Sequence, residues 1–150
     1  MLKCDKLSIV IDGRILVREL SLELGKGELI CMLGPNGVGK TLSLHTLAGL
    51  LPATTGTVFL NGEHMGRLSR RQIAQQLGLL LQDDSDSFPA TVSDAVLMGR
   101  HPHLGPLAGE SATDRALADR AMASMDLGDF GHRSVATLSG GERRRVAIAR

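Results

Sequence analysis

The octapeptide GPNGVGKT, Gly34 to Thr41, constrains this chain more than any other stretch. It lies between an apolar run, LICML at Leu29–Leu33, and a segment, TLSLHTLAGLL, whose apolar residues recur at helical spacing. Strand, glycine-rich turn and helix in that order is the setting in which GxxxxGK[ST] becomes a phosphate site. Gly34, Gly37 and Gly39 let the backbone of Gly34-Pro35-Asn36-Gly37-Val38-Gly39 curl, so that successive N–H groups point inward at one anion. The helix that begins near Lys40 adds the positive end of its dipole. Lys40 can reach the β- and γ-phosphates, and the Thr41 hydroxyl is placed to ligate Mg²⁺. The plain alternative is a flexible connection with a surface lysine, and the full match in its strand–helix setting speaks against it. The expected ligands are a nucleoside triphosphate and Mg²⁺. Small-molecule kinases, GTPases, helicases and transport ATPases all share such a loop, so it does not by itself choose a function.

Composition narrows the field. A chain of 150 residues, 43% of them hydrophobic, can bury a real core and is not globally disordered. A net charge of +1 gives no footprint for nucleic acid or an anionic membrane. The longest apolar runs, LICML and LGLLL, are too short to span a bilayer, and charges break up the apolar residues of the N-terminus. Cys4 and Cys31 lack metal-ligand spacing and read as two core thiols in a reducing cytosol. The expected location is therefore cytoplasmic.

Along the chain, Leu7–Ile11 and Ile15–Leu20 alternate around Asp12-Gly13 and predict an antiparallel hairpin. Leu29–Leu33 reads as a strand buried on both faces, and TVFLNG and LGLLL as two more, with a short helix over Leu68–Gln76 between them. The polar stretch QDDSDSFP, Gln82 to Pro89 when its proline is followed by Ala90, marks a boundary. Beyond it TVSDAVLMGR and SATDRALADRAMASM are helical, with Ser111 as N-cap and Asp114 completing a capping-box pattern.

A second glycine site follows at LSGGERRRVAIAR. Ser139, Gly140 and Gly141 open a helix, which again offers a hydroxyl and exposed N–H groups to an anion. An ordinary N-cap followed by flexible glycines accounts for the same residues equally well.

Phosphate loop and LSGGE together resemble the ATP-binding cassette ATPases, over the whole length of the chain. The resemblance implies an α/β fold: a P-loop NTPase core with an N-terminal antiparallel β-subdomain and a helical insert. It divides the chain into residues 1–88, the β-subdomain and core; 89–137, the helical subdomain; and 138–150, the signature motif and its helix. It also implies that Ser139, Gly140 and Gly141 contact ATP across a head-to-tail homodimer. Gln82 resembles the family's Q-loop glutamine, which approaches Mg²⁺ and the attacking water. The run VSDAVLMGRHPHLGPL resembles ATPases that energise import of iron–siderophores, haem and cobalamin. The implied partners are integral-membrane permease subunits and, indirectly, a substrate-binding protein, with no nucleic acid. The implied place is the inner face of the cell membrane, with residues from Thr91 to Asp126 as the docking face. His101 and His103, without a third ligand nearby, read as structural or partner-facing rather than metal-binding. Arg143–Arg145 reads as partly solvated helix charge.

Three departures from the family's pattern stand out. Ile11 occupies the place of the aromatic that stacks on adenine, and Leu42 follows Thr41 where a second hydroxyl is usual. The Walker B aspartate, catalytic glutamate, D-loop and switch histidine have no counterpart in these residues, so the expectation is a front portion of a longer protein, truncated before the Walker B strand and hydrolysis-incompetent alone. Asp83 and Asp84 are the acids nearest Gln82 and follow it into a loop. Rival readings are a soluble cassette protein acting on DNA or ribosomes, and a binding-only fragment. A small P-loop kinase leaves LSGGE and the insert unexplained.

Overall fold

The computed structural model describes residues 1–82, 89–105 and 108–150. The chain divides into two compact units, Met1–Gly78 and Leu79–Arg150.

The first unit is built on the hairpin that the sequence predicts, extended at both ends. Strand β1 (Leu2–Ile11) pairs antiparallel with β2 (Arg14–Leu24), and Ile11 faces Arg14 across a two-residue loop. Asp12 and Gly13 take φ of 50° and 74°, the positive values of a type I′ turn, whose twist matches that of the strands it joins. The same device recurs at Asn61-Gly62, between β3 (Thr55–Leu60) and the short β4 (Glu63–His64). The sheet order is β2-β1-β3-β4, antiparallel throughout. Helix α1 (Lys40–Leu47) and helix α2 (Arg70–Ala74) bury Leu47 and Ile73 with Cys4, Leu7, Val58, Leu60 and Met65 in one core. Helix α1 ends in a Schellman stop, where the N–H of Leu50 donates to the His45 carbonyl and that of Gly49 to the Thr46 carbonyl.

Two expected strands are absent. Leu29–Leu33 carries no ladder, and Leu29 and Leu33 are 94% and 86% exposed. Residues 77–81 likewise form no strand. Both runs are apolar on both faces, the pattern of a central parallel strand, which holds its shape only when neighbours satisfy its N–H and C=O groups. Among the described residues no strand pairs with either run. Cys31 shares this fate: it is exposed, not a core thiol, whereas Cys4 is buried as expected.

The second unit is helical. Helices α3 (Val92–Leu97), α4 (Ala112–Ser124) and α5 (Gly140–Ala149) enclose Val92, Ala95, Val96, Ala118, Met122, Leu127, Val135, Leu138 and Val146. A 3-10 turn, Met98–His103, continues α3. It is tied to α4 by Arg100, whose Nε lies 2.9 Å from Asp114 Oδ1. Segment 133–135 closes the unit by backbone pairing: Val92 N–H donates to the Arg133 carbonyl at 2.9 Å and Val135 N–H to the Ala90 carbonyl at 3.0 Å. Among the described residues no helix is long and apolar enough to cross a membrane.

Candidate functional site

Helix α1 differs from the other four α-helices of the described residues at its N-terminus. Each of α2 to α5 is closed by a capping box, formed by Ser69 with Gln72, Thr91 with Asp94, Ser111 with Asp114 and Ser139 with Glu142. Helix α1 has no side-chain cap and no acid in its first turn. Its N-cap is Gly39 at φ 100°, where a Cβ would lie 3.2 Å from the Leu16 carbonyl oxygen, so no larger residue fits without displacement. The N–H groups that a cap would satisfy are thus left for an anion, the first requirement of a phosphate site.

Lys40 begins this helix and folds back over the loop. Its Nζ donates to the carbonyl oxygens of Gly34 and Pro35, each at 2.7 Å. The ammonium is thereby held at the loop, and only these two carbonyl bonds need to be exchanged for it to meet a phosphate. Thr41 is exposed at the helix start. Ser43 is buried and its hydroxyl donates to the Gly39 carbonyl at 2.9 Å, so it does not stand in for the hydroxyl missing at Leu42. A register shift in the hairpin between Ile9 and Val10 places Leu16 as an extra residue between Val17, opposite Ile9, and Ile15, opposite Val10, and Leu16 and Val17 both line a cavity of about 180 Å³ with Gly39 and Lys40. The sequence pattern carried no signal for that bulge. The residues fit a triphosphate with Mg²⁺: donors converge, the cap is open and a hydroxyl follows the lysine.

The second glycine site lies in the helical unit. Ser139 caps α5, its N–H donating to Glu142 Oε2 at 2.7 Å and its hydroxyl accepting from the Glu142 N–H at 3.3 Å. The Ser139 bonds hold the Glu142 carboxyl below the usual carboxylate range. The ordinary cap is therefore formed. A Cβ at Gly140 or Gly141 would meet nothing within 4 Å, so packing inside the chain does not call for glycine at either position.

Gln82 is exposed and does not end a strand. Asp83, Asp84 and Phe88 lie outside the described residues, as do Pro106 and Leu107. Arg144 is not merely solvated charge: its Nη1 donates to the Leu81 carbonyl at 2.7 Å, anchoring the run that leads into Gln82 to α5. Nothing in the sequence pointed to that bond. His101 and His103 are exposed on the 3-10 turn, and among the described residues no group of three His, Cys, Asp or Glu could hold a metal ion.

A glycine loop opening an uncapped helix, set in the chain between strands of an antiparallel sheet and followed by a helical unit, is the arrangement of a nucleotide-binding protein of the P-loop class. The chain belongs to the ABC transporter family, whose sequence profile matches residues 17–150. It is 39% identical over 150 residues to the hemin import ATP-binding protein HmuV of Gloeobacter violaceus, covering 100% of this chain and 54% of that protein. It is 38% identical over 144 residues to the cobalamin import ATP-binding protein BtuD of Halobacterium salinarum, covering 96% of this chain and 36% of that one. Among solved structures it resembles a subunit of the cbiONQ ABC transporter complex of Clostridium perfringens, with a TM-score of 0.81, 26% identity and coverage of 99% and 59%. It also resembles a bacterial Atm1-family ABC exporter with ATP bound, with a TM-score of 0.79, 25% identity and coverage of 99% and 26%. The fold is thus shared by import and export machines. The chain spans about half the length of the curated relatives it matches, or less.

Proposed function

We propose that this chain is the ATP-binding portion of the ATPase subunit of an ABC importer whose cargo is a metal chelate, such as an iron–siderophore or haem, or cobalamin. The observation that carries the reading is the open N-terminus of α1 behind a glycine loop, alone uncapped among the five α-helices of the described residues. The importer part is supported by relatives named for cobalamin, hemin and iron(3+)-hydroxamate import.

In this reading the backbone N–H groups of Gly34 to Gly39 and the Lys40 ammonium hold the β- and γ-phosphates, and Thr41 and Gln82 hold Mg²⁺. Bound Mg²⁺ supplies neutralising charge to the phosphates. Lys40 adds a fixed charge, and Gln82 orients water at the γ-phosphate. Ser139, Gly140 and Gly141 reach the triphosphate held by a second subunit, across a two-fold interface in which each copy offers both motifs. The subdomains are residues 1–88, 89–137 and 138–150. The helical insert docks on the permease at the inner face of the membrane, and a substrate-binding protein acts through that permease.

Purification of the full-length protein from membranes tests this reading. Stoichiometric co-purification with a polytopic permease, and ATP hydrolysis stimulated by it, is the expected result. Co-sedimentation with ribosomes and no membrane partner overturns it in favour of a soluble cassette protein.

A further inference from the structure

The first unit holds a cavity of about 570 Å³ between the C-terminal end of α1, the start of β3 and the segment from His64 to Ile73. That volume falls within the ~300–1,000 Å³ range of small-molecule sites. Its apolar lining comes from Val58, Met65 and Ile73, all buried, and from Leu68, which packs against the same core. One polar group is set among them. Thr46 lines the cavity and is 2% exposed, and its Oγ1 has no hydrogen-bond partner among the described residues. A hydroxyl within a helix ordinarily bonds back to a carbonyl one turn earlier, as Ser43 does with Gly39. A buried hydroxyl that gives up water without a partner destabilises the fold, so Thr46 calls for a polar group inside the cavity.

Two nitrogen-bearing side chains also line it. Arg70 donates from Nη1 to the Gly49 carbonyl, which fixes the guanidinium at the end of α1 and leaves it further N–H donors. It forms no salt bridge among the described residues. His64 accepts the Gly66 N–H at Nδ1, at 3.0 Å, so the ring's own donor is Nε2. Among the described residues no acid lines the cavity, and a single guanidinium sets its sign. The C-terminal end of α1 lies here too, and its partial negative charge weighs against a dianion. A lone fork of donors, an apolar wall and an unpartnered hydroxyl together suit a monoanion with a short apolar body.

We propose that this cavity binds a small hydroxylated monocarboxylate, with its carboxylate on Arg70, its chain against Val58, Met65, Leu68 and Ile73, and its hydroxyl on Thr46. The site is separate from the phosphate loop. The two lie at opposite ends of α1, and the cavity shares no lining residue with the one beside Gly39 and Lys40. The guanidinium supplies charge and orientation; the hydroxyl of Thr46 selects among acids of equal charge.

The test titrates the full-length protein with hexanoate, hexanamide and ω-hydroxyhexanoate, followed by ligand-observed NMR. Hexanamide matches hexanoate in shape and lacks its charge, so it is expected to bind at least about tenfold more weakly. The ω-hydroxy acid gives Thr46 a partner and is expected to bind at least about threefold more tightly than hexanoate. Arg70→Gln removes the first difference. Thr46→Val, which keeps the shape of the side chain, removes only the second; melting curves confirm that both variants fold. None of the three probes is displaced by saturating Mg·ATP. Equal binding of hexanoate and hexanamide overturns the proposal. So does a charge preference that survives Arg70→Gln, or a hydroxyl preference that is absent or survives Thr46→Val. Displacement of hexanoate by Mg·ATP puts the acid at the phosphate loop and overturns it as well. Failure of all three probes to bind a full-length protein that still binds Mg·ATP overturns the proposal and leaves the nucleotide-binding reading standing.

Discussion

Ile11 is 42% exposed at the hairpin tip, with Arg14 opposite it and Ile15 and Val10 close by on the strands. An aliphatic side chain there presents surface but no π-face to a base. A base–aromatic stack is worth about 1–3 kcal/mol, so its absence weakens nucleotide affinity by roughly ten- to a hundredfold and leaves base recognition weak. ATP and GTP are therefore expected to compete within about tenfold of one another in a titration of the full-length protein. Strong preference for ATP means that another side chain holds the adenine. The residues of the candidate phosphate loop could be proposed from the sequence because each would act through a property visible in its letter: glycine conformation, lysine charge, threonine hydroxyl. The folded-back Lys40, the bond from Arg144 to Leu81 and the bulge at Leu16 in the strand beside the loop could not be. Those depend on where the backbone bulges and which carbonyls come within reach, which letter identity does not encode.

At the scale of elements, the Asp12-Gly13 turn and the capping box of α4 could be read directly, since Asp-Gly and Ser-x-x-Asp state their conformation locally, whereas Asn61-Gly62, read as the end of a strand over TVFLNG, forms a second hairpin turn after Leu60. The same short-range logic explains why Leu29–Leu33 misled: a strand is not a local object, and its apolar pattern specifies burial without supplying the neighbour that buries it. The capping box of α4 has a further consequence in acid. The Ser111 hydroxyl, then the Arg100 guanidinium, hold the Asp114 carboxyl down at about 2, against 3.8 for the free group. A carboxyl depressed on folding stabilises the fold above its unfolded value and loses that contribution as pH falls through the folded one. Asp114→Asn should therefore lower the unfolding midpoint of the helical unit at pH 6, and the gap between variant and original should close between about pH 4 and pH 2. A gap that stays constant across that range means that the carboxylate charge does not matter to the fold.

For the whole molecule, the antiparallel front and helical rear were legible from periodicity and turn chemistry, and the divide between units falls between Gly78 and Leu79. The two glycine sites lie in different units, which accords with a reading in which each completes a site with a second copy. Residues 1–150 on their own contain the charge-neutralising groups of phosphoryl transfer, Lys40 and Thr41, but no acid that the reading assigns to polarise the attacking water. Phosphate release by that segment with Mg²⁺ and saturating ATP should stay at background, and steady turnover abolished by Lys40→Ala would assign the base to Asp83 or Asp84. The central claim is narrower still: Gly34 to Thr41 hold a triphosphate. Calorimetric titration of Mg·ATP into the full-length protein and its Lys40→Ala variant tests it most directly. Charge-assisted hydrogen bonds contribute about 1.5–3 kcal/mol each, so the variant, shown by its melting curve to be folded, should bind at least about tenfold more weakly. A folded Lys40→Ala protein that binds Mg·ATP with undiminished affinity contradicts the account.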